Sequence, residues 1–233
     1  MTDNEERQIM QRAINSSPGS VNKLFLQDVR RRWPHSDIPY SVSCDFSQTS
    51  RAFIAFSLDE IEKLSCVKFT PAMNTDSDYI NIYTGSNISQ SYDDHLRIIL
   101  GQTGCFADLG YYGPGHGAHR LHLKEPAGSW DPNCIYTFVI IHELFHSLGV
   151  AHEQTRPDRD NYMKINWNKM QLQYAYANWK GSYSTREALS KPRCTTSGQT
   201  QETANFDNCV SGYIFTDFGV PYDWSSIMHY GLN

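Results

Sequence analysis

The sequence predicts an α+β fold, a mixed sheet with one amphipathic helix beside it and one helix buried at its centre. Three observations carry that reading. Residues 48–64 place Phe53, Phe56, Ile61 and Leu64 near helical spacing, with Glu60, Glu62 and Lys63 outside, the pattern of an amphipathic helix. Short strand-like runs follow at Val67-Lys68-Phe69, Tyr79-Ile80-Asn81-Ile82-Tyr83 and Arg97-Ile98-Ile99-Leu100. Past Cys134, the residues Ile135, Phe138, Val139, Ile141, Leu144, Phe145 and Leu148 surround a further helix almost fully, which places it in the interior. A helix followed by strands is the order of a mixed α+β lobe.

The chain has 233 residues, enough for one large domain or two small ones and for a sizeable core. Its 39% hydrophobic and 19% charged residues are the composition of a soluble globular protein. A net charge of −5 gives a nucleic-acid partner no electrostatic support. No apolar run reaches the length of a membrane span. The N-terminal MTDNEERQIMQRAINSS lacks the apolar stretch of a signal peptide, so a secreted product would need a leader that this sequence does not show. Cysteines stand at 44, 66, 105, 134, 194 and 209, without a C-x-x-C pair, which disfavours a cysteine-ligated metal. An even count suits disulfides and an oxidising compartment. The sequons at Asn15 and Asn87 agree with a secretory route.

In order along the chain, residues 1–32 read as a polar extension outside the core. Phe25-Leu26-Gln27-Asp28-Val29 and Arg30-Arg31-Arg32 close it. The three arginines suit either a trypsin-like cleavage site or a solvated basic patch. The folded domain is expected over 33–233, opening on Trp33-Pro34. Ile38-Pro39-Tyr40-Ser41-Val42-Ser43 reads as a first strand, with Pro39 at its start where a missing N–H is tolerated. The helix of 48–64 and the strands named above come next. Residues 101–117 are dense in glycine and tyrosine. His119-Arg120-Leu121-His122-Leu123 is a strand bounded by glycines and by Pro126. His116, His119 and His122 invite a second metal, but 119 and 122 point to opposite faces of a strand. Residues 168–179 read as a helix around Met170, Tyr174 and Trp179. Residues 181–212, polar and without a period, read as a long surface loop closed on itself by Cys194–Cys209.

The buried helix carries His142-Glu143-Leu144-Phe145-His146-Ser147-Leu148-Gly149-Val150-Ala151-His152-Glu153. Residues four apart lie one helical turn apart on one face, about 6 Å along the axis. His142 and His146 therefore reach one ion. Gly149 ends the helix with φ > 0 and turns the chain back, bringing His152 round as a third ligand. Three nitrogens leave the fourth position of a tetrahedral zinc open for water, which is a catalytic layout. Glu143 stands beside the first ligand, where it can take a proton from that water.

That stretch has the metzincin pattern. With Glu153 directly after the third histidine, Arg156-Pro157-Asp158-Arg159-Asp160-Asn161-Tyr162 and Ser226-Ile227-Met228-His229-Tyr230, the chain resembles the astacin family of zinc endopeptidases from about Trp33 to its end. The resemblance implies a metzincin-type domain: a twisted mixed sheet, an edge strand over the cleft, and the H-E-x-x-H helix at the centre. It implies a Met-turn at Met228 beneath the zinc, and Tyr230 as a further ligand that swings to the oxyanion. It implies Glu153 as the anchor of a matured N-terminus, and a Cys105–Cys134 disulfide. It matches the strand of 119–123 to the upper cleft rim, where an extended peptide or protein substrate adds as an antiparallel strand.

The sequence departs from the family pattern in three places. It stops three residues after Tyr230, so the C-terminal lobe is expected to be incomplete and Cys66 lacks its family partner. Cys66 is then free or joined to Cys44. Cys44 and the 194–209 pair have no counterpart in the pattern. Phe25-Leu26-Gln27-Asp28 resembles the family's pro-segment element with Gln for Gly, making Asp28 a possible latency ligand beside the alternative of an ordinary exposed Asp. The resulting expectation is a monomeric, secreted zinc endopeptidase made as a zymogen, with one catalytic Zn2+, Glu143 as base and Tyr230 as oxyanion donor. The alternative is a truncated or non-catalytic zinc-binding module of the same fold.

Overall fold

The computed structural model describes residues 24–26, 29–85, 104–127, 133–156, 158–164, 215–216 and 219–230. In chain order these form β1 (Leu24–Leu26), β2 (Asp37–Val42), α1 (Gln48–Leu64), β3 (Lys68–Pro71), β4 (Tyr79–Tyr83), β5 (Phe106–Ala107), β6 (Ala118–His122), α2 (Thr137–Ser147), β7 (Val150–Ala151) and β8 (Phe215–Thr216). Single 3-10 turns lie at Val29–Arg31, Glu153–Thr155 and Arg159–Asn161. The chain divides into two compact units, Arg30–Leu148 and the combination of Met1–Val29 with Gly149–Asn233.

In the Arg30–Leu148 unit the strands are ordered β3-β2-β4-β6-β5. The first four are parallel, and β5 closes the sheet antiparallel to β6. Parallel strands are covered on both faces and read as continuous apolar runs. Ile38, Ile80, Ile82 and Leu121 are accordingly at most 1% exposed. Helices α1 and α2 lie against each other, and α2 lies against β5 and β6. Ile140 and Leu144 of α2 are fully buried.

Helix α1 starts and stops where the sequence places it. The Ser47 hydroxyl accepts from the Ser50 amide at 3.1 Å, satisfying one of the orphan donors of the first turn. Glu125 accepts from the Ser47 amide and the Ser50 hydroxyl, closing the cap from 75 residues away. The buried face differs from the expected one. Ile54, Leu58 and Ile61 face inward, whereas Phe56 and Leu64 are 47% and 57% exposed. Positions i, i+4 and i+7 align on one stripe, and Phe56 and Leu64 fall off it.

One further expectation is corrected in this unit, and one pair of alternatives is decided. The strand at Ala118–His122 is not a rim: β4 flanks it on one side and β5 on the other. The edge on that side is Phe106–Ala107, inside the glycine- and tyrosine-dense stretch, and two residues are too few for a period-2 signal. Cys44 and Cys66 are both free and exposed. They stand at opposite ends of α1, whose 17 residues span about 25 Å. A disulfide needs Cα atoms within about 7 Å, so they cannot join each other. Cys105 and Cys134 do pair, with Cα atoms 5.7 Å apart and a sequence separation of 29. Closing a loop of that length is worth about 3–4 kcal/mol in the chain-entropy account.

In the second unit β1 lies between β7 and β8, antiparallel to both. Phe25 pairs with Val150 on one side and with Thr216 on the other. A segment expected to lie outside the folded domain is thus a sheet strand. Its three residues sit in a polar stretch with no periodicity to announce them. The strand expected at 97–100, the helix at 168–179, the Cys194–Cys209 loop and Asp28 lie outside the described residues.

Candidate metal centre

Helix α2 is made by its apolar circumference and ends on bonds that come from elsewhere in its unit. A helix leaves its last carbonyls without intrahelical partners. Here the Gly110 amide donates to the His146 carbonyl at 2.9 Å, and the Trp33 indole N–H donates to the Ser147 carbonyl at 2.9 Å. The helix carries His142 and His146 one turn apart, their rings 4.7 Å between centroids and nearly perpendicular. Gly149 follows with φ of 95°, a left-handed conformation that costs only glycine nothing. The chain leaves extended at His152, with φ −66° and ψ 134°.

Along this one continuous stretch, ring nitrogens of His142, His146 and His152 all lie within 4.8 Å of one another, and each side chain is half-buried. Three imidazoles on one point are a borderline-soft donor set that suits zinc and leaves a coordination position open. The residues therefore fit the ion that the motif implies. Glu143, next to the first histidine, is 5% exposed, and its Oε2 has no hydrogen-bond partner. Burial pushes its carboxyl up to about 8. A buried carboxyl oxygen without a donor is poised to receive one from a bound water or substrate.

In the second unit, the ring of Tyr230 lies 4.3 Å from that of His152. The Tyr230 amide donates to Oε1 of the buried Gln154 at 3.0 Å, and the Glu153 amide donates to the Met228 carbonyl at 2.9 Å. Met228 is fully buried within a tight turn, in which the His229 amide donates to the Ser226 carbonyl. Sequence reasoning named Glu153 but not what holds it. Arg156, 1% exposed, donates to Glu153 Oε1 at 3.0 Å and to both oxygens of Asp158 at 2.8 Å. It also donates to the carbonyls of Val220 and Pro221, at 2.8 and 3.2 Å. Asp223 adds its amide to Glu153 Oε1 at 3.0 Å, while Oε2 of Glu153 has no partner. Burial raises the Glu153 carboxyl, and the Asp223 amide and Arg156 oppose it. The sequence signal for Arg156 was an arginine in the segment that follows the third histidine, but two of its acceptors, the Val220 and Pro221 carbonyls, lie more than sixty residues on.

A family model described as Astacin, a peptidase family, matches residues 25–92 and 86–197. The chain is 36% identical over 151 residues to zinc metalloproteinase nas-13 of Caenorhabditis elegans, covering 65% of this chain and 28% of that protein. It is 29% identical over 194 residues to high choriolytic enzyme 1 of Oryzias latipes, covering 83% of this chain and 50% of that protein. The solved structure of that enzyme, described as a hatching enzyme zinc-protease from the medaka fish, matches with a TM-score of 0.55 and 27% identity. The match covers 86% of this chain and 72% of that one. The chain spans half or less of the length of these curated relatives. No described helix is long and apolar enough to cross a membrane.

Proposed function

The chain belongs to the astacin family of peptidases, and we propose that it is a zinc-dependent endopeptidase acting on extended segments of extracellular proteins. The observation that carries the proposal is the convergence of three histidine nitrogens beside a buried glutamate with one unpartnered carboxylate oxygen. His142, His146 and His152 would hold one Zn2+, which supplies a polarised carbonyl and a more acidic water. Glu143 then accepts the proton of the attacking water and passes it to the leaving amine. A carboxyl already pushed toward neutral pH by burial is suited to both halves of that transfer. The Tyr230 hydroxyl, set beside His152, donates to the carbonyl oxygen as negative charge develops there.

The same reading assigns support roles. Gly149 makes the turn that returns His152, and Met228 is the apolar floor of the Met-turn. Glu153, with one buried oxygen still without a donor, would receive the ammonium of a matured N-terminus. Residues 1–32 would be a pro-segment removed at Arg30-Arg31-Arg32, with Asp28 as its zinc ligand. Secretion agrees with the Cys105–Cys134 disulfide, which needs an oxidising compartment. The test is a zinc stoichiometry measured beside hydrolysis of casein and of quenched-fluorescence peptides, with and without a chelator. One zinc per chain with chelator-sensitive turnover is expected. Zinc bound without turnover, before and after cleavage at Arg30-Arg31-Arg32, would instead make the chain a binding module.

A further inference from the structure

Beside the end of α2, the Arg30–Leu148 unit gathers a second concentration of imidazole and aromatic rings. His119 on β6 is 1% exposed, and neither of its ring nitrogens has a hydrogen-bond partner. The rings of Trp33, Tyr111 and Tyr112 lie 4.8, 5.4 and 5.6 Å from it, and the ring of the exposed His116 lies 5.0 Å from it. An imidazole always has a nitrogen able to donate or accept, and buried polar groups of native structures are nearly always satisfied. A histidine chosen only to fill an aromatic core would leave that requirement unmet.

The loop carrying His116 is fixed in place. Asp78 accepts from the amides of Gly115 and Gly117, the residues on either side of His116, at 2.9 and 3.0 Å. It also accepts from the hydroxyls of Ser77 and Tyr111. Gly113, Gly115 and Gly117 have φ of 109°, 78° and 92°, so the loop follows a path that other residues would strain. Asp78 stands two residues before Ile80, which pairs with His119 across β4 and β6. His116 is thereby held at a set distance from His119. The His142–His146 pair supplies a yardstick within the same unit: rings at 4.7 Å belong to a set of nitrogens that can share an ion.

We propose that His116 and His119 form an auxiliary site for a divalent transition-metal ion, of the zinc or copper class, with water completing the coordination. Imidazole nitrogens suit those ions, and they bind in the neutral form. Burial, and then the neighbouring His116, hold His119 down to about 4, so it is neutral at physiological pH. The ion enters from the side of His116, the exposed partner. His122 takes no part: it lies three residues along the strand, and its Nδ1 pairs with the Gly104 carbonyl at 2.7 Å.

The test uses the zinc-loaded full chain with its exposed thiols Cys44 and Cys66 alkylated. Equilibrium dialysis against Zn2+ should give a second equivalent in the wild type. His116→Ala, a surface change that leaves the aromatic core intact, should keep the first equivalent and bind the second at least tenfold more weakly. The first equivalent reports the three-histidine centre, so the two readings fail separately. A Cu2+ titration gives a local readout, because Trp33 lies beside His119 and its emission should be quenched as the site fills. That quenching should need at least tenfold more Cu2+ in His116→Ala. A single equivalent in the wild type, or a second that survives His116→Ala, overturns the proposal and leaves His119 as a packing ring served by buried water.

Discussion

Arg156→Met tests the buried ionic cluster of the second unit. The substitution keeps an apolar stem and removes the guanidinium. The hydrogen bonds of the guanidinium go with it, and they are not equal. Asp158 is 27% exposed, so its carboxylate turns to water and its two bonds count for less than about 1 kcal/mol. The carbonyls of Val220 and Pro221 each lose a donor, at about 1 kcal/mol apiece. Glu153 decides the outcome, because it is fully buried and would keep only the Asp223 amide. Removing one partner of a buried pair costs about 3–5 kcal/mol, chiefly because the other charge is stranded. For a chain of this size that is a fall in Tm of about 6–20 °C. If the stranded charge is the cause, adding Glu153→Gln should restore at least about 1 kcal/mol, since an amide needs no counter-charge. Thermal unfolding of the zinc-saturated chain, followed by near-ultraviolet circular dichroism, measures both variants. A loss under about 1 kcal/mol in the single variant, or a double variant no more stable than the single, refutes the account.

Three more outcomes are expected. Glu143→Ala should retain one zinc while kcat/KM falls about 10²–10⁴-fold, as befits loss of a general base; loss of the metal itself would mean that Glu143 is structural. Tyr230→Phe should lower kcat about 10²–10³-fold with KM little changed, the signature of a donor used in the transition state; steady-state kinetics with a rise in KM alone would reject that role. Asp78→Asn concerns acid stability. Burial would raise the Asp78 carboxyl, but the amides of Gly115 and Gly117 and two hydroxyls hold it at about 2, below its ordinary 3.8. A carboxyl depressed on folding stabilises above its unfolded value and loses that contribution as pH falls toward the folded one. Wild type and variant should therefore differ most near neutrality and converge between about pH 4 and 2 in urea denaturation. A gap that stays constant across that window would contradict it.

The sequence made α1 legible to the residue, because a 3.6-residue period and a change to strand chemistry agree there. The three-histidine cluster was legible for a related reason: His142, His146 and the turn at Gly149 follow local geometry, which spacing alone encodes. What escaped is long-range or short. The Phe106–Ala107 edge has two residues and no period. The Leu24–Leu26 strand takes its identity from partners at 150–151 and 215–216. Arg156 acts on carbonyls that the chain reaches only after folding. The face of α1 was misjudged for a different reason. Near-helical spacing suggested Phe56 and Leu64, and the packing selected the Ile54, Leu58 and Ile61 stripe instead.

The two outside bonds on the last turn of α2 bear on time as well as position. An isolated helix frays from its ends, and His146 is the second-last residue of this one. Fraying would let go of His146 first and open the easiest exit for a bound ion. With the His146 carbonyl held by Gly110 and the Ser147 carbonyl by Trp33, that turn opens only when more distant parts of the unit open with it. The end of α2 that carries His146 is thereby tied to the opening of the rest of its unit rather than to local fraying.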